Sequence, residues 1–480
     1  MLRRFLYSIF VFLLLVDIGY SFVQHLGQPL DGDMSGLIVP ADYIKPVLNS
    51  PLGLDVIIKN HSYSNPNRFF CHWMFFKYFN TIPFYLQKFV QPIDSMYLSC
   101  AIIKTIIQIL LIFLMAFIVS GTRKILNMNF IIAAILITPF FQTNGYYLYM
   151  AIIDPSITYT FFYALPCLIF LLYLLPFISS NYYHKKLPYP LQVLINIIWI
   201  PLALVICLSG PLNPGIALVF SLLVFLGRFI KEYKLLDKKE IKNKLVSTII
   251  NIPKSYWFYL LPICLFSLYS LYLGQANTFN ISMPLSELYL RIPQGIYYQF
   301  TSKIGFPILF VILILNTIII NKKIKSDEGK KILKVFKWIG LFALVYILLL
   351  PLGGFREYRP NVLRYDTIMP ITLSLIFVFG TSTLYILKKI TAKQKLWYIP
   401  IIVAVLLTFT IADEPNFKKN SCEKQALKEI AESKKNIVKV NCACSILEWH
   451  TIQKPEQSEM NSQLLLKWNI TREKKLYYNE

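Results

Sequence analysis

Apolar runs of membrane length recur along this chain, separated by short polar connections. They fall at roughly 5–23, 97–120, 128–145, 157–178, 190–209, 214–230, 256–274, 304–320, 336–351, 367–387 and 397–411. A bilayer core about 30 Å thick takes roughly 20 helical residues to cross, and most of these runs approach that length. In lipid every backbone N–H and C=O has to be satisfied within the segment or a closed barrel, so such runs form helices. The expected fold class is an all-α polytopic membrane protein with about eleven transmembrane helices.

Two stretches break the pattern. The first is the long loop 24–96. Its aromatic part, 68–90 (RFFCHWMFFKYFNTIPFYLQKFV), carries His72, Lys77, Asn80, Pro83 and Lys88. These are costly against lipid, so the segment reads as interfacial helix rather than as a span. The second is everything after Asp413. Residues 421–435 place Ala426, Leu427, Ile430 and Ala431 on one helical face, and 436–442 alternates as a strand does. The expected organisation is a transmembrane domain, 1–411, with outward loop 24–96, followed by a small α/β outward domain, 412–480.

Composition agrees with the pattern: 56% of residues are hydrophobic and only 15% charged, with a mean hydropathy of +0.54. The formal charge of +23 does not point to nucleic acid. Of the 48 Lys and Arg, 25 lie in the N-terminal stub and in alternate short connections, such as Arg123 and Lys124, Lys185 and Lys186, and 228–254. This alternation is the positive-inside pattern. It places the N-terminus in the cytoplasm, and loop 24–96 and residues 412–480 outside, across a bacterial inner (plasma) membrane. The bilayer is the first expected partner. The run 5–23 exceeds a signal-peptide core of about 7–15 residues and reads as an uncleaved anchor.

Polar residues with chemical potential concentrate in the outward segments. LDGDMSG at 30–36 sets Asp31 and Asp33 one residue apart between glycines. Either carboxylate could serve as a general base; a turn with capped backbone amides is the alternative. Segment 350–370 holds Arg356, Arg359 and Arg364 against the positive-inside trend. Arginine's planar fork matches phosphate, while pairing with Glu357 and Asp366 is the competing use. Asp154 reads either as a helix cap or, with Asp31 or Asp33, as a ligand of a divalent cation, magnesium or manganese. Arg68 and His72 in the first loop are candidate substrate contacts. Glu287 and Arg291 lie four apart and can pair on one helix face. Asp17 and Lys104 sit at matching depth in the first two spans, where an ion pair is expected. In the tail, Cys422 can bridge to Cys442 or to Cys444.

Taken together, the acidic motif after span one and Arg364 and Tyr365 with Pro370 in NVLRYDTIMP resemble the GT-C superfamily of membrane glycosyltransferases. The resemblance implies a polyprenyl-phosphate-linked sugar as donor and a glycan, lipid or protein as acceptor. It implies that Asp31 or Asp33 is the base, and that Arg364 with Tyr365 belongs to the donor-phosphate site. Two alternatives share the architecture. A lipid-linked oligosaccharide flippase would carry ionisable groups deep in several spans. An O-antigen-type polymerase would need the arginines but not the acidic motif.

Overall fold

The computed structural model describes residues 2–141, 150, 152–181, 189–236, 241–359 and 361–479. Lys185 and Lys186, the end of run 128–145 and most of 146–151 lie outside the described residues. Among those described, nine helices are long and apolar enough to cross a membrane: Arg4–Leu26, Pro92–Ser120, Ile157–Asn181, Asn213–Leu235, Lys254–Gly274, Gly305–Ile324, Asp327–Gly353, Met369–Lys389 and Ala392–Ala412. Two shorter apolar helices, Met128–Phe141 and Gln192–Cys207, coincide with the other two runs. Phe12, Leu15, Ile197, Leu222, Val311 and Ile411 remain exposed on these helices. Apolar surface left outward on this scale suits lipid rather than water. The chain is an integral membrane protein.

Helix Pro92–Ser120 shows how local chemistry sets an element. Pro92 occupies its first turn, where the missing N–H costs nothing. Gly121 ends it at φ 66°, a left-handed conformation that glycine adopts without a Cβ clash. At 29 residues it is about 44 Å long, so it starts before Tyr97 and projects beyond a ~30 Å core. Together with Ile157–Asn181 and Met369–Lys389 it is among the most enclosed of the long helices. One polar cluster between helices is fully paired. Asn316 donates to Ser382 and Thr383 at 2.8 and 3.1 Å and accepts from Tyr398 at 2.8 Å.

The segments that charge alternation assigns to one side meet at one end of the bundle. The first loop bonds to segment 275–303 through Tyr63 and Asn277. Arg356 reaches Asn65, Ile281 bridges to Phe355, and the amide of Phe70 donates to Leu208. Aromatic segment 68–90 folds as two short helices, Phe69–Phe79 and Ile82–Leu86. At 11 residues the longer covers about 16 Å, too little to span.

The tail folds against this loop cluster. Helix Ser421–Glu432 is followed by strand Ile437–Val440, helix Glu459–Lys467 and strand Leu476–Asn479. The strands pair in parallel with Ile437 opposite Leu476. Leu427, Ile430, Val440, Leu464, Trp468 and Tyr477 are fully buried and continuous with the main core. Trp468 donates its indole N–H to Phe79, Gln87 donates to Trp468, and Lys424 pairs with Asp94. Of the two pairings open to Cys422, the structure has Cys422–Cys444.

Candidate functional site

The acidic turn and the arginine loop converge on the N-terminal end of helix Ile157–Asn181. Asp31 is buried and accepts four hydrogen bonds. They come from Ser156 Oγ (2.6 Å), the amide and hydroxyl of Thr158 (2.8 Å each) and the amide of Asp33 (3.1 Å). A carboxylate here also meets the positive end of the helix dipole. Both Asp31 oxygens are occupied, so its geometry is that of an anchor.

Asp33 differs. It is solvent-exposed, although protein surrounds it on most sides. One oxygen accepts the indole N–H of Trp449 at 3.3 Å, its one side-chain hydrogen bond among the described residues. Burial and then the neighbouring Asp31 push its carboxyl up to about 6, with Trp449 and Arg359 opposing the rise. A carboxylate with a free oxygen and such a pKa is suited to take a proton near neutral pH. Gly32 lets the tail approach this turn: a Cβ there would lie 2.6 Å from the amide nitrogen of Trp449. Trp449 was not legible as a site residue, since nothing in the local pattern connects it to position 33.

Asp154 is buried and folds over the same helix start. One oxygen accepts the amide of Ser156 at 2.7 Å. The other makes no direct hydrogen bond; Tyr365 approaches without reaching hydrogen-bond geometry, and its side chain and Lys104 oppose the rise. Burial raises this carboxyl to about 6. The cap itself is Ser156, whose hydroxyl accepts from the amide of Tyr159, so Asp154 supports the cap from two residues upstream. Asp31 offers no free oxygen to the expected cation site. Among the described residues the only cluster of three metal-ligating side chains is Cys422, Cys442 and Cys444, and the oxygens of Asp31 are committed to Ser156 and Thr158.

Lys104 corrects a second expectation. No ion pair joins it to Asp17 among the described residues; its ammonium donates to the carbonyl of Pro155. Matching depth along two helices says nothing about rotation around them, and Lys104 faces the bundle interior, where it pins the 154–156 turn.

The arginines divide into two groups. Arg359 donates to Tyr159 OH at 2.6 Å and Tyr163 OH at 3.2 Å, and reaches Asp366 at 3.4 Å. Arg364 pairs with Asp366 at 2.9 Å and donates to the carbonyl of Asn361 at 2.9 Å. A π-helical turn over Thr160–Ala164 stacks Tyr159 and Tyr163 with centroids 5.4 Å apart, and Tyr365 lies parallel to Tyr159 at 6.2 Å. Arg364, expected on the donor phosphate, is thus engaged with its own loop. The pairing use of the cluster holds for these two residues.

Arg356 and Arg68 form the second group. Arg356 donates to Asn65 and Tyr358 at 2.7 and 2.8 Å and lies over the Phe279 ring. It meets no carboxylate within ion-pair distance among the described residues. Arg68 makes no side-chain hydrogen bond to any of them, and its Nε is fully enclosed. Burial, then the charges of Arg356 and Arg359, push its guanidinium down to about 10. Arg68 is thus a half-buried cation, crowded by like charge, with no protein acceptor for its side chain among the described residues. His72 is buried, its Nδ1 bonds to the carbonyl of Arg68 at 2.7 Å, and burial lowers it to about 4, so it is neutral and supports the backbone that carries Arg68.

Two features lay beyond sequence reading. Glu423 is buried and accepts from the amides of Leu30 and Leu447 and from Tyr97 OH, locking the tail to the residue before Asp31. A cleft of about 580 Å³ is lined, among the described residues, by Glu287, Leu290, Arg291, Gln294, Tyr298 and Asn361, of which Asn361 belongs to the arginine loop. Comparison with known protein families, curated proteins and solved structures returns no match.

Proposed function

We propose that this chain is a GT-C-like glycosyltransferase with eleven spans and its N-terminus in the cytoplasm. It would transfer a sugar from a polyprenyl-phosphate donor to a glycan, lipid or protein hydroxyl at the outer face of a bacterial inner membrane. One observation carries the reading: Arg359 lies within electrostatic reach of both Asp33, whose second oxygen is free, and Arg68, which with Arg356 has no carboxylate partner among the described residues. Phosphate oxygens supply the acceptors that Arg68 lacks, in the geometry a guanidinium fork prefers. Asp33 accepts the proton of the acceptor hydroxyl. The acceptor oxygen bonds to the anomeric carbon as the bond from that carbon to the phosphate oxygen breaks. The departing polyprenyl phosphate keeps the electron pair, and the arginines stabilise its charge. Asp31, Asp154 and Lys104 hold the framework, and Trp449 brings the tail to the acceptor side.

The test is turnover by the purified full chain in liposomes, offered a panel of polyprenyl-phosphate hexoses and pentoses. Free polyprenyl phosphate should accumulate with the wild type and fall about 10²-fold or more with Asp33→Asn. Movement of intact donor across the bilayer without its cleavage would favour the flippase alternative and overturn the proposal. Cleavage indifferent to Asp33 would favour the polymerase alternative.

A further inference from the structure

The tail contains three cysteines, an odd number for a domain expected in an oxidising compartment. Two of them form the Cys422–Cys444 bridge. The third, Cys442, is free and partly exposed, and the three sulfurs all lie within 4.8 Å of one another. The side-chain amide of Asn479 holds this arrangement. It donates to Cys442 Sγ at 3.2 Å and to the carbonyls of Cys442 and Cys444 at 3.0 Å each. A thiol fixed at this range from a disulfide, with solvent access, has the placement that thiol–disulfide exchange requires.

We infer that Cys422, Cys442 and Cys444 form an internal thiol–disulfide exchange site that interconverts the Cys422–Cys444 and Cys422–Cys442 pairings. The Cys442 thiol gives its proton to water, and the thiolate attacks Cys422 Sγ. The Cys422–Cys444 bond breaks as the Cys422–Cys442 bond forms, and Cys444 leaves as a thiolate that regains a proton. One disulfide and one thiol are present before and after, so neither oxidant nor reductant is consumed. Burial raises the Cys442 thiol, which keeps the thiolate scarce and the exchange slow.

The exchange acts at a sensitive place. Releasing Cys444 loosens the segment that carries Leu447, whose amide binds Glu423 at 3.0 Å, and Trp449, whose indole binds Asp33. Helix Ser421–Glu432 stays tethered through Cys422 in both pairings. The chemistry stands independently of the transferase proposal; only its effect on turnover rests on that reading.

Differential labelling of the full chain in membranes tests the exchange. Free thiols are blocked with one maleimide, disulfides are then reduced and labelled with a second, and peptides are mapped by mass spectrometry. The expected result is that the first label starts on Cys442 and appears on Cys444 with time of incubation before blocking. Cys444→Ser should form a Cys422–Cys442 bridge. Wild-type labelling that stays on Cys442 alone at all times would overturn the inference, as would a Cys444→Ser variant with both remaining thiols free. Should that variant fail to fold, the wild-type time course decides by itself.

Discussion

Replacing Arg68 by Met should make the protein more stable and unable to bind its anion. The drop of the Arg68 guanidinium from 12.5 to about 10 corresponds to about 3 kcal/mol spent on holding the charge in place, at ~1.4 kcal/mol per tenfold. Partial solvent access at the ends of the side chain reduces that to roughly 1–3 kcal/mol. No hydrogen bond or ion pair of the Arg68 side chain is lost in return among the described residues, and Met fills much of the same volume. In a chain of this size each kcal/mol moves Tm by about 1–2 °C, so Arg68→Met should unfold a few degrees higher in detergent. Farnesyl phosphate at about 100 times its Kd should add about 2.7 kcal/mol to the wild type and almost nothing to the variant. Arg364→Met should behave oppositely in the ligand-free state, because it strips a partner from the buried Asp366. If Arg68→Met is less stable than wild type, or binds farnesyl phosphate equally well, Arg68 is not a cation held in reserve for an anion.

The two neighbouring carboxylates should separate on mutation. Asp33→Asn should fold normally and lose about 10²-fold or more in turnover, whereas Asp31→Asn should lower stability by about 1–3 kcal/mol through its broken charge-assisted bonds. Wild-type kcat should rise with pH through about 6 as Asp33 loses its proton; a rate flat from pH 5 to 7 would count against Asp33 as base. Glu423 is raised by burial from 4.5 to about 7. A raised carboxyl contributes stability that is complete below the unfolded value and is lost as pH rises through the folded one. Thermal unfolding of wild type relative to Glu423→Gln should therefore fall between about pH 4.5 and 7; an unchanged difference would refute the shift. Cysteine-accessibility labelling should report residues 24–96 and 412–480 on one side and 231–236 and 241–250 on the other, and label reaching all from one side would break the proposed topology.

What was legible from sequence is what depends on local pattern. The runs of apolar residues gave the helices, and the proline at position 92 and glycine at position 121 mark where one of them begins and ends. The acidic motif and the arginine loop were visible as chemistry placed where lipid-facing segments would not carry it. Their division of labour was not, because it is set by distant contacts. Asp31 is claimed by Ser156 and Thr158, Arg359 by two tyrosines on the same helix, and Asp33 by a tryptophan 416 positions away. Composition singled out the three arginines of one loop, and the resemblance of Arg364, Tyr365 and Pro370 to the GT-C motif ranked Arg364 first. Only the packed structure separates the paired Arg364 from Arg68, because pairing depends on where Asp366 falls. The Asp17–Lys104 expectation failed for a related reason: rise per residue gives depth, while partner choice depends on which way each helix is turned.

A crystal structure of the protein with a short polyprenyl phosphate bound would test the central proposal most directly. The account predicts the phosphate on the guanidinium groups of Arg68 and Arg356, with the free oxygen of Asp33 facing the side from which an acceptor hydroxyl would arrive. A phosphate bound instead in the cleft between Glu287 and Asn361, or contacting Arg364 while Arg68 stays without an acceptor, would contradict it.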